Sequence, residues 1–221
     1  MSQSSPFGDD TRREARELIA RYPKPRSALL PLLHLVQSVE GYVSPQGIGF
    51  CAEMLDLTKA EIGAVATFYT MYKRRPVGDY HVGVCTNTLC AVMGGDAIYG
   101  ALKEHLEVEG QDAVTSDGKV SLEHIECNAA CDYAPVVMVN WEFFDNQTPS
   151  SAKALVDDLR DGRPVRPTRG ADSLCTWRQA ERVLAGFDDG LADEGPAAGP
   201  ATLVGLQIAR LNEWTAPKGA K

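Results

Sequence analysis

Residues 80–95, YHVGVCTNTLCAVMGG, and residues 120–139, VSLEHIECNAACDYAPVVMV, hold four cysteines in two close pairs, Cys85-x4-Cys90 and Cys127-x3-Cys131. Each pair follows a β-rich run, Tyr80 to Val84 in the first case and Val120 to Ile125 in the second. If those strands are parallel neighbours, both loops leave the sheet at one edge and four sulfurs meet there. Four converging thiolates are what a [2Fe–2S] cluster or a structural zinc requires. Short side chains (Thr86, Asn87, Thr88) and the glycines Gly94 and Gly95 let backbone N–H groups approach sulfur. Such bonds raise a cluster's potential. A helix starting nearby also turns its positive end toward an anionic site.

Spacing alone leaves zinc and [2Fe–2S] both open. A thioredoxin-type dithiol is weaker because Cys-x-x-Cys is absent. A Rieske centre needs two histidine ligands, and neither loop contains one. A plant-type ferredoxin groups three cysteines in one loop, whereas the division here is two and two.

Working outward, Met93 to Leu106 is expected as a helix and Val114 as extended chain. Asp117-Gly118 is a hairpin turn, Val136 to Val139 a strand covered on both faces, and Trp141 to Phe144 an edge strand. Thr148-Pro149 opens a last helix through Leu159. This β-α-β-β-α order fits a small thioredoxin-like sandwich over residues 77–165.

Before it, residues 9–76 have helical periodicity. Asp9 and Asp10 start a first helix through Arg21, and Ser27 is the expected cap of a second that ends at Gly41. Ser44-Pro45 caps a third. Thr58-Lys59-Ala60-Glu61 is a capping box opening a fourth through about Met71. The expected fold is therefore α+β: an N-terminal helical bundle, then a thioredoxin-like domain. Residues 166–221 form an extension. Its Arg163-Pro164-Val165-Arg166-Pro167 entry is linker-like, Gly186 to Gly199 is rich in Ala, Gly, Asp and Pro and is expected to be disordered on its own, and Ala201 to Trp214 regains larger apolar residues. That last segment is either an arm for another subunit or a stretch packing on its own body.

The 221 residues carry a net charge of −8 and 44% hydrophobic content. That composition is that of a globular protein and argues against a nucleic-acid surface, which needs clustered Lys and Arg. No apolar run approaches the ~20 residues that span a bilayer. The opening Met1-Ser2-Gln3-Ser4-Ser5-Pro6 lacks the basic-then-apolar order of a secretory signal. A cytosolic setting is expected, where six cysteines point to metal or redox chemistry rather than disulfides. Cys51 is expected in a helical core, Cys175 remains unassigned, and His34 is expected to pack or hydrogen-bond within its apolar helix. Glu126 and Asp132, which bracket the second pair, are expected to be solvated.

Three stretches resemble a known family: Val65-Ala66-Thr67-Phe68-Tyr69-Thr70-Met71-Tyr72, Cys85-Thr86-Asn87-Thr88-Leu89-Cys90 and Glu126-Cys127-Asn128-Ala129-Ala130-Cys131-Asp132-Tyr133-Ala134-Pro135. They are similar in order and spacing to the E subunits of bacterial NADH–quinone oxidoreductase (complex I), over about residues 10–165. The resemblance implies a thioredoxin-like [2Fe–2S] ferredoxin domain, with Cys85, Cys90, Cys127 and Cys131 as cluster ligands. It implies an electron-transfer role in the peripheral arm of a membrane complex, on the cytoplasmic side. The implied partners are an NADH- and FMN-binding subunit and an iron–sulfur subunit of the same arm. This chain has neither G-x-G-x-x-G nor G-x-x-x-x-G-K-[ST], so NADH and FMN are expected on the partner. The same motif serves the diaphorase subunits of NAD-linked hydrogenases and formate dehydrogenases, and a zinc-stabilised scaffold is the alternative of another class. Two departures are visible: where the family often has Leu-Gly after the third cysteine, this chain has Asn128-Ala129, and the tail after about Arg166 lies outside the common pattern.

Overall fold

The computed structural model describes residues 6–110 and 113–215. Four N-terminal helices come first: α1 (Asp9–Ala20), α2 (Leu29–Glu40), α3 (Pro45–Leu55) and α4 (Lys59–Phe68). Leu18, Leu32, Leu33, Leu35, Val36 and Ile62 fill their shared core. Local chemistry sets most boundaries as expected. Gly41 ends α2 in the left-handed region at φ 86°. Ser44 caps α3 by accepting from the Gly47 amide, and Thr58 and Glu61 form a reciprocal capping box.

Two boundaries differ. Ser27 caps nothing: it lies inside a 3-10 turn, Pro25–Ala28, and α2 begins at Leu29 without a side-chain cap. The proline-rich entry favours the tighter turn before the helix can start. Helix α4 stops at Phe68 rather than near Met71, and Tyr69 is extended and half exposed.

Strands β1 (Tyr80–Cys85), β2 (Ala113–Val114), β3 (Val120–Ile125), β4 (Val137–Val139) and β5 (Glu142–Phe144) form one sheet in the order β2-β3-β1-β4-β5. β1 and β3 are parallel, with Cys85 opposite Ile125; the other pairings are antiparallel. Side chains alternate across the sheet. Val82, Val84, Val120, Leu122, Val137 and Val139 share a core with α6 (Gly95–Leu106) and α7 (Pro149–Arg160). On the other face, Lys73 from the chain after α4 reaches buried Glu123, which also lies 3.0 Å from His81 Nε2. The helix expected over Met93 to Leu106 is α6, which starts at Gly95; a separate short helix, α5 (Thr88–Val92), precedes it, and Gly94 at φ 112° separates the two.

The extension holds a helix without a counterpart in the sequence reading, α8 (Trp177–Leu184). Trp177 is 1% exposed and Glu181 0%, and α8 packs along α2. Its signals are local: the Thr176 amide donates to the Gln179 side chain at 2.9 Å in a capping-box pattern, and Trp177, Ala180, Val183 and Leu184 recur at helical spacing. The linker-like entry is also tied down, since the Thr168 amide donates to the Phe143 carbonyl at 2.8 Å beside the edge strand. Helix α9 (Pro200–Leu211) has no buried residue and touches the body through its first turn. Among the described residues no helix is long and apolar enough to cross a membrane.

Candidate metal centre

Because β1 and β3 run parallel, their C-terminal ends release both cysteine loops at one sheet edge. Cys85 is the last residue of β1, held by its amide to the Val136 carbonyl at 3.1 Å. Cys90 lies in α5, and both sulfur-bearing residues are buried. Gly95 is what lets α6 pack under this loop: a Cβ there would stand 2.4 Å from the Cys85 carbonyl oxygen and 2.9 Å from that of Cys90. Cys127 and Cys131 are exposed, with their sulfurs 3.5 Å apart. Cys131 begins a 3-10 turn, Cys131–Tyr133, that leads into the cis Ala134–Pro135 peptide.

The loops are bonded to each other and to their own sulfurs. The Asn87 side chain donates to Glu126 across the gap. The Ala129 amide donates to Cys127 Sγ at 3.3 Å. The Cys90 thiol is pushed up to about 11, first by burial and then by its bond to Cys85, while the Val136 amide pulls the other way; charge at Cys131 reaches it too. Cys131 is raised by its bond to Cys127, and it also feels Cys85. The four sequence-predicted residues thus stand as two pairs of free thiols, Cys85 with Cys90 and Cys127 with Cys131. Among the described residues no group of three or more His, Cys, Asp or Glu side chains is spaced to hold a single metal ion.

The residues fit a [2Fe–2S] centre in donor chemistry. Its two irons take four thiolates, and the sulfurs stand two and two, unoxidised. Backbone amides already point at sulfur. The amide nitrogen of the Asn128 side chain is buried and has no acceptor among the described residues. A sulfur-rich group would supply one.

Cys51 and Cys175 lie elsewhere. Cys51 is buried in the helical core and burial raises its thiol to about 12; Cys175 is half-buried and raised for the same reason. His34 bonds to Glu181 at 2.6 Å. Glu126 and Asp132 are not merely solvated: Glu126 accepts from Asn87 and Asp132 accepts from Thr202. The partners lie 39 and 70 residues away in sequence, so no local signal marks them.

The family model described as thioredoxin-like [2Fe–2S] ferredoxin matches residues 15–160. The E subunit of NADH-quinone oxidoreductase from Mycobacterium tuberculosis is 66% identical over 205 residues, covering 92% of this chain and 81% of the relative. Subunit 2 of NADH-quinone oxidoreductase from Thermus thermophilus is 36% identical over 160 residues, or 71% of this chain and 88% of the relative. Among solved structures, an NAD+-reducing [NiFe]-hydrogenase in the air-oxidized state matches with a TM-score of 0.54 at 20% identity, covering 61% of this chain and 23% of that one. That likeness concerns the fold.

Proposed function

The chain belongs to the thioredoxin-like [2Fe–2S] ferredoxin family, among the E subunits of NADH-quinone oxidoreductase, and on that premise we propose that it carries one [2Fe–2S] cluster on Cys85, Cys90, Cys127 and Cys131 and exchanges single electrons with the FMN of a partner subunit. The observation that supports this reading is that parallel β1 and β3 end on one side of the sheet and release two loops of free cysteines there, with the Cys127 and Cys131 sulfurs 3.5 Å apart. When bound, such a cluster supplies a one-electron site, which a hydride donor delivering two electrons needs beside its flavin.

This chain's residues hold and tune that site. Cys85 and Cys90 anchor it on the buried side, where water is excluded. Cys127 and Cys131 stand on the exposed side, where a partner can approach. The Ala129 and Val136 amides donate to sulfur and stabilise added negative charge. NADH and FMN are assigned to the partner, and an iron–sulfur subunit of the same peripheral arm is the second neighbour. The arm stands on the cytoplasmic side of the membrane.

The test is metal and acid-labile sulfide analysis of this chain, prepared anaerobically and free of other iron–sulfur subunits. Iron and sulfide at about two each per chain are expected. Zinc without sulfide would replace the proposal with a structural scaffold. The subunits that co-purify with the native chain separate a respiratory complex from a hydrogenase or formate dehydrogenase.

A further inference from the structure

Tyr133 lies two residues beyond Cys131 and is held from three sides. Its carbonyl accepts from the Asn146 amide at 2.9 Å. The Arg169 guanidinium, paired with Asp145 at 2.8 Å, stands over its ring at 5.4 Å. Its hydroxyl accepts from the Ala201 amide at 3.1 Å, in the first turn of α9. Beside it, Asp132 accepts from the Thr202 hydroxyl. Two of these holds come from residues 199–202, well past residue 160 where the family match ends.

The path of the extension makes this contact purposeful. After α7 the chain crosses the edge strand at Thr168 and Arg169, then packs α8 on the helical core. It returns alongside itself, with the Gly170 amide donating to the Pro196 carbonyl at 3.2 Å and the Asp172 amide to Glu194 at 3.1 Å. It arrives at Tyr133 through Gly199, where the fit is so close that a Cβ would stand 2.2 Å from the tyrosine oxygen. Gly199 has φ −95°, so the backbone does not require glycine there; the approach to Tyr133 does.

We propose that the C-terminal extension is a clamp on the second cysteine loop, with Gly199, Ala201 and Thr202 as positioning residues that hold Asp132 and Tyr133 and so keep Cys131 beside Cys127. The role rests on the cluster assignment above. Cys127 and Cys131 lie on the exposed side of the centre, and a loop free to swing outward opens their bonds to water and chelators. The clamp slows that opening. It acts through loop position, so the centre's ligand set stays the same when the clamp is loosened.

The test compares the full chain with Tyr133→Phe, Thr202→Val and Gly199→Ala. Tyr133→Phe removes the acceptor and keeps the ring over which Arg169 stands. Gly199→Ala lies outside both cores and pries the first turn of α9 from Tyr133, so it serves should Tyr133→Phe misfold. Iron content and the visible spectrum should match the parent. Iron loss to a chelator should run about 2- to 10-fold faster, the range one hydrogen bond spans. Amide exchange across residues 127–134 should quicken in both the iron-loaded and the iron-free chain. Parent-like chelation and exchange in Thr202→Val and Gly199→Ala would overturn the clamp. A parent chain that binds no iron would instead overturn the cluster assignment, while exchange at 127–134 in the iron-free chain would still decide the clamp.

Discussion

The Glu181 carboxyl in α8 accepts a hydrogen bond from His34 in α2 at 2.6 Å, across 147 positions of sequence and with no exposure of its own. Gln37 donates to the same oxygen at 2.6 Å, and the Trp141 indole donates to the other at 3.1 Å. One side chain thus ties the extension, the helical bundle and the chain between β4 and β5.

Glu181→Ala should therefore destabilise the chain by about 3 kcal/mol or more, because two buried donors and one half-buried donor lose their acceptor at once. Glu181→Gln keeps one acceptor oxygen and should cost less. Urea midpoints measure both. A midpoint for Glu181→Ala within error of the parent would mean that α8 adds little to the fold.

The buried Glu123 predicts a defined acid response. Burial opposes its ionisation, but bonds from His81 and the Lys73 ammonium outweigh that and hold the carboxyl down to about 2, against 4.5 ordinarily. A depressed carboxyl stabilises the fold above its unfolded pKa. That contribution fades as pH falls from about 4.5 toward 2. Glu123→Gln should lose about 3 kcal/mol at neutral pH, since Lys73 stays buried without its carboxylate. Its stability should also fall less steeply than the parent's through that acid window. Parallel curves would refute the assignment, and the difference cancels exposed acids such as Glu61 and Asp117 that titrate in the same range.

Much of this was legible in the residues, and the rest was not for physical reasons. Caps and turns speak locally: Ser44, Thr58-Glu61 and Gly41 mark helix ends within four residues. In β3, Val120 and Leu122 face the core shared with α6 and α7, while Ser121 and Glu123 alternate onto the other face, where they too are buried. The cysteine pairs needed only parallel neighbours to converge. What escaped depends on distant chain. Helix α8 owes its place to Trp177 and Glu181 meeting α2, and Tyr133 owes its environment to residues 169 and 201. No window of sequence contains both halves of such a contact.

Ala129 offers a local correction. It sits at φ 56°, in the left-handed region where a Cβ is strained, within the loop between Cys127 and Cys131. Its amide must hold that geometry to donate to Cys127 Sγ. Ala129→Gly removes that clash, and should raise stability by up to about 1 kcal/mol after the unfolded chain's added freedom is counted. Thermal midpoints of the iron-free chains check this, free of any effect of metal.

Gly95 makes the opposite case. A methyl group there meets backbone oxygen of Cys85 and Cys90, which cannot rotate away as a side chain would. Gly95→Ala should push α6 from the first cysteine loop, at a cost of about 1–3 kcal/mol, and lower iron incorporation with it. Gly100→Ala, on the same helix with nothing within 4 Å, is the matched control: it should keep the parent's iron content and gain up to about 1 kcal/mol from helix propensity. Equal iron content in the two variants would show that the first loop tolerates displacement.

The ligand assignment separates the six cysteines by chemistry. Cys127→Ser replaces a soft thiolate with a hard oxygen donor and should weaken or abolish the visible absorbance and paramagnetic resonance of the centre. Cys51→Ala should leave both unchanged, since its thiol lies in the helical core, and should cost only the packing of one small side chain. All-thiolate ligation keeps the midpoint potential negative, because reduction adds charge to an already anionic site; plant-type centres lie near about −400 mV. Asn128→Leu removes the one buried side-chain donor of the second loop that lacks an acceptor, and should move the midpoint to more negative values. A positive midpoint in the parent, or an unaltered spectrum in Cys127→Ser, would refute the ligand assignment.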